Sequence, residues 1–103
     1  MNPPPVDSEP AVTPATRDHL MQVVQHLRAN AWTQAHDLVQ REASAMANWL
    51  HGIVHIQEGD LEDAQYWYEQ AGQHFRSRGT LAEELVRFEQ ALLPQADQAG
   101  RLA

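Results

Sequence analysis

Between Trp49 and Ala71, small residues recur at Gly52, Gly59, Ala64 and Ala71, with one large ring, Tyr68, set among them. No other stretch constrains the fold as tightly. At helical periodicity the pattern belongs to two antiparallel helices packed so closely that their backbones nearly touch, Tyr68 acting as the wedge. Gly59-Asp60 supplies the turn, since glycine accepts the left-handed conformation that ends a helix and aspartate opens the next one. Helix pairs of this kind are more often binding surfaces than sites of chemistry.

Apolar spacing and caps extend this hairpin to an all-α fold of about five antiparallel helices. Thr13 caps a first helix over 14–29, with Pro14 in its first turn, where a missing N–H costs nothing. Its stripe is Leu20, Val23, Val24 and Leu27, and Asn30 stops it. A second helix over 32–42 shows Trp32, Ala35, Leu38 and Val39. Ser44 caps a third, which carries Met46, Trp49, Leu50, Ile53 and Val54 and ends at Glu58. Asp60 caps the fourth, with Asp63 placed to reach back as in a capping box, and Leu61, Ala64, Tyr68, Ala71 and Phe75 share one side. Thr80 and Glu83 form a cleaner box for the fifth, whose stripe is Leu81, Leu85, Phe88 and Leu92 and which Pro94 ends. No segment alternates with period two, and the short connections imply antiparallel neighbours.

Around this helical domain (14–93), the first 13 residues hold Pro3, Pro4, Pro5 and Pro10 and too little apolar surface to offset their ordering, which predicts a disordered arm. The last ten, 94–103, read as a frayed tail. The start has neither the basic nor the apolar character of a secretory signal, and no run approaches the roughly 18 apolar residues of a membrane span. The chain has no cysteine, which removes disulfides and thiolate chemistry and points to a reducing cytoplasm. Its seven basic residues are all arginine, so Schiff-base and P-loop lysine chemistry are also excluded. The net charge is −7. Glu58, Asp60, Glu62, Asp63 and Glu69 crowd the central hairpin without an arginine, a field opposed to nucleic acid and suited to solubility or to basic partners.

Residues 45–71 read AMANWLHGIVHIQEGDLEDAQYWYEQA. This stretch resembles a tetratricopeptide repeat, in which a glycine, a Gly-Asp turn, an alanine, an aromatic residue and a second alanine recur at the offsets of Gly52, Gly59-Asp60, Ala64, Tyr68 and Ala71. It departs from the family where Trp49 is displaced by one residue, where His51 and His55 replace a leucine and a tyrosine, and where the usual proline after the second helix is missing. Helices one and two resemble a degenerate copy, with Trp32 and Ala35 placed 29 residues before Leu61 and Ala64. The wording EGDLEDAQYWYEQAG also resembles a group of small helical proteins, which implies no activity. The family resemblance implies a right-handed stack of helix hairpins, closed by a C-terminal capping helix, whose inner surface binds a peptide or protein. Such stacks normally need three or more units, so a homodimer that lengthens the stack would add burial.

His51, His55 and Glu58 lie at i, i+4 and i+7 on one helix face and could hold Zn²⁺ or another divalent ion. The zinc-protease motif is absent, because Gly52 follows the first histidine where that motif has glutamate. Two other readings stand beside ligation. Neutral histidines could serve as polar core against Asp63, Tyr66 or a backbone carbonyl, or the pair could sense pH. Tyr66, Trp67 and Tyr68 are consecutive and cannot all face the core, so Tyr66 or Trp67 turns toward a flank or a partner unless helix five covers Trp67. No nucleophile elbow, phosphate loop or carboxylate pair is present, so no catalytic residues are assigned. The sequence reads as a protein- or peptide-binding module, possible partners including a second copy. Its surface is expected at Trp49, Ile53, Ile56, Tyr66 and Trp67, with no cofactor. The alternative is a small metal-binding or acid–base site at His51, His55 and Glu58.

Overall fold

A computed structural model describes residues 12–93; the arm before them and the tail from Pro94 lie outside the described residues. The fold is all-helical, with α1 (Pro14–Arg28), α2 (Trp32–Val39), α3 (Ala45–Glu58), α4 (Leu61–Gln70) and α5 (Leu81–Leu92), and no strand among the described residues. Neighbours in sequence pair as hairpins, α1 with α2 and α3 with α4, and α2 packs on α3 to join them. None of the described helices is long and apolar enough to cross a membrane.

The start signals act as their chemistry requires. Thr13, Ser44, Asp60 and Thr80 each accept a backbone N–H from the third residue of the helix they open. Only Thr80 completes a reciprocal box, with Glu83 accepting from the Thr80 N–H. Asp63 does not reach back to Asp60; its own N–H is the donor, to the Asp60 carboxylate.

Three helices stop by one device. After α1, α3 and α4 the chain turns left-handed at Asn30 (φ 61°), Gly59 (φ 96°) and Gly72 (φ 76°). In each case the N–H of the following residue returns to a carbonyl of the last turn: Ala31 to His26, Asp60 to His55, Gln73 to Tyr68. The stop at Gly72 shortens α4, so Phe75, expected on its stripe, sits beyond the helix and meets Tyr68 edge-on at 5.3 Å. α2 is also shorter than its apolar pattern suggests, because Arg41 and Glu42 donate to carbonyls only three residues back and the last turn tightens. Some positions 29 residues apart have like surroundings. Ala35 and Ala64 are both fully buried, as are Val39 and Tyr68, and Asn30 and Gly59 share the left-handed turn.

α5 packs on α1 and α3, the first helices of both hairpins, rather than on α4. Its Leu85, Phe88 and Leu92 join Leu20, Val23, Val24, Leu27, Trp49, Leu50 and Ile53 in one core. Arg28 of α1 donates to Glu89 of α5 at 2.6 Å. This pair is partly exposed and contributes at most about 1 kcal/mol, so apolar contact is what seats the helix.

Candidate functional site

The packing of α2 on α3 brings three imidazoles together. Trp32, His36 and Val39 recur at i, i+4 and i+7, so the face of α2 that buries Val39 carries His36 toward α3. There His51 and His55, one turn apart, meet it: the His36 ring lies 4.9 Å from that of His51 and 5.2 Å from that of His55, both edge-on. His51 and His55 stack nearly parallel at 5.1 Å. One nitrogen from each ring can be chosen so that all three lie within 4.8 Å of one another. His51 and His55 are buried and His36 half-buried.

Two neighbours fix the rings. The His55 Nδ1 is 2.8 Å from the Glu58 carboxylate, so Nδ1–H donates there and Nε2 is the ring nitrogen that remains to face an ion. Glu58 is thus a partner of His55 and lies outside the group that could converge on an ion; His36 takes the third place expected for it. His51 lies flat on Trp67 of α4, with centroids 4.0 Å apart and planes 10° from parallel. Burial, then the closeness of His55 and His36, pushes the His51 imidazole down to about 4, so it is neutral at physiological pH. Asp60 and Asp63 form a second group with His55, but the Asp60 carboxylate already accepts the Asp63 N–H.

The expected binding residues divide. Trp49 and Ile53 are core residues, not surface: they are 4 % and 0 % exposed, and Trp49 meets Phe88 edge-on at 5.3 Å beneath the Arg87 guanidinium. The reason is α5, which covers the face of α1 and α3 that the resemblance reserves for a partner. Ile56 is half-buried. Tyr66 is 52 % exposed and meets the half-buried Trp67 edge-on at 5.1 Å. Trp67 is covered by His51 rather than by helix five. An open cleft beside this stack is lined by Gln40, Glu42, Ala43, Asn48, His51 and Trp67.

Glu84 is fully buried although it reads in sequence as a first-turn acid beside Glu83. Its position between Leu81 and Phe88 on the apolar stripe is the signal that could have revealed it. Tyr68 Oη, the Gly79 N–H and Arg87 all donate to its carboxylate. Burial alone would raise the carboxyl; the bonds from Tyr68, Gly79 and Arg87 outweigh it and hold it below its ordinary value. Burial and the bond to Glu84 push the Tyr68 phenol well above its usual range. All four groups have structural duties, tying the 71–80 loop to α4 and α5.

Comparison with known proteins finds no matching family model, no similar curated protein and no similar solved structure.

Proposed function

We propose that this chain is an interaction module, a tetratricopeptide-like stack of helix hairpins that engages a basic protein or peptide segment through the outer face of α4. The observation that carries the reading is Tyr66, half exposed against the edge of Trp67 on a helix that packs mainly on α3. Tyrosine and tryptophan are the side chains that most often anchor interfaces, because a rigid ring offers much area at little entropic cost. Around them Glu62, Asp63 and Glu69 are exposed and α4 has no basic residue, so the face attracts cations. A second copy fits this class, since its 71–80 loop presents the exposed Arg76. The cysteine-free composition accords with a cytoplasmic setting.

Sedimentation velocity of the full chain, alongside calorimetric titration with an arginine-rich peptide, tests the reading. Self-association or peptide binding is expected to weaken at least tenfold, about 1.4 kcal/mol, in Tyr66→Ala, and to weaken in 0.5 M salt. Association that ignores both changes would place the contact elsewhere, and a monomer that binds no basic peptide would end the proposal.

A further inference from the structure

We propose that His36, His51 and His55 form a binding site for zinc or a similar borderline divalent ion, bridging α2 and α3, with Glu58 orienting one of the ligands. The site touches Trp67 of the α4 face but does not need that face to bind a partner, and would stand if it bound nothing.

Convergence is the first argument. Zn–N bonds of about 2.0–2.1 Å in a tetrahedron place ligand nitrogens roughly 3.3–3.4 Å apart. Nitrogens within 4.8 Å of one another on two packed helices need to draw in by at most about 1.5 Å to reach that spacing. The second argument is orientation. A metal-bound histidine usually donates its other ring N–H to a carboxylate, which fixes tautomer and ring plane. His55 already makes that bond to Glu58 at 2.8 Å, and Trp67 holds the plane of His51.

The third argument is a contrast within the molecule. His19 shows a histidine with a structural duty: its Nε2–H donates to the Leu38 carbonyl at 2.8 Å and ties α1 to the end of α2. The His36 and His51 rings make no hydrogen bond with protein among the described residues, and instead contact each other, His55 and Trp67. Their nitrogens are not sealed from solvent, and a divalent ion could take one lone pair from each neutral ring.

Donor chemistry names the ion. Three imidazoles without thiolate or carboxylate suit zinc, cobalt, nickel or copper, and suit calcium and magnesium poorly. Three protein ligands leave a fourth position for water or a small ligand, and the cleft lined by Gln40, Glu42, Asn48 and Trp67 adjoins His51.

The test is calorimetric titration of Zn²⁺ into the chelator-stripped full chain, with Co²⁺ absorption as a report of coordination geometry. One zinc per chain is expected at micromolar affinity or tighter, with the intense visible bands of tetrahedral cobalt. His36→Ala should weaken binding at least a hundredfold and Glu58→Gln about tenfold, the scale of an orienting partner. Circular dichroism confirms folding, and His36→Gln replaces the alanine variant if that does not fold. Asp60→Asn combined with Asp63→Asn keeps a capping side chain and should leave affinity unchanged. Absent saturation, binding indifferent to His36, or binding lost in the aspartate double variant would each overturn the site.

Discussion

Gly52→Ala sets two effects of similar size against each other, and the structure decides between them. In an isolated helix the change would stabilise by about 1 kcal/mol, because alanine loses less backbone freedom on folding. In α3 an added Cβ would lie 2.5 Å and 2.9 Å from Cδ1 and Cε1 of Tyr68 and 3.1 Å from the Ala64 carbonyl oxygen. Neither neighbour can yield cheaply. The Tyr68 ring is fully buried and its hydroxyl is held by Glu84, and the Ala64 oxygen belongs to the α4 backbone. Overpacking of this kind costs about 1–3 kcal/mol, more for contacts this short, so net destabilisation of about 1–2 kcal/mol is expected. For a helical domain of some eighty residues that lowers Tm by roughly 5–15 °C. Urea unfolding followed by far-ultraviolet circular dichroism measures it. Adding Tyr68→Leu removes the obstructing ring, so the glycine substitution should cost less in that background. If Gly52→Ala instead stabilises by about 1 kcal/mol, the close α3–α4 approach is not as described.

Two further changes probe the buried polar groups. Tyr68→Phe removes one of three donors to the buried Glu84 carboxylate and should cost about 1.5–3 kcal/mol in the same urea assay; an unchanged midpoint would mean Glu84 does not depend on Tyr68. His51 gives a pH dependence in metal-free protein. Its folded value near 4 lies below the unfolded 6.5, so between them the unfolded chain binds more protons. Its contribution is therefore complete above pH 6.5 and is lost as pH falls toward 4, on the order of 3 kcal/mol in all. Unfolding midpoints measured from pH 7 to pH 4 in chelator should show this slope, flattened in His51→Gln; equal slopes in both proteins would assign it to other groups, Glu84 included.

The elements were legible where a local rule governs. Side-chain caps at Thr13, Ser44, Asp60 and Thr80 and the turns at Asn30 and Gly59 need only neighbouring residues, and the sequence placed them. Gly72 was missed because the apolar spacing of Ala71 and Phe75 runs past it, although its left-handed turn ends α4. What depends on tertiary packing was harder to read. Trp49 and Ile53 are apolar residues on a stripe, and sequence does not say whether a partner or the chain's own α5 covers them; α5 does. His51 and His55 were visible as a pair on one helix. His36, fifteen residues earlier, joins them only because α2 packs on α3, although its i+4 relation to Trp32 marked the face it would share. Glu58 was grouped with the pair by spacing alone, and its carboxylate instead turns to the His55 Nδ1–H.

The most direct measurement of the interaction account is amide chemical-shift mapping of the ¹⁵N-labelled full chain during titration with an arginine-rich peptide. The account expects saturable shifts concentrated on Leu61–Gln70, largest around Tyr66 and Trp67, with saturation moved to at least tenfold higher peptide in Tyr66→Ala. Shifts centred on α1, α5 and the buried stretch around Trp49 and Ile53, with α4 unmoved, would contradict it and show that a partner displaces α5 from the core.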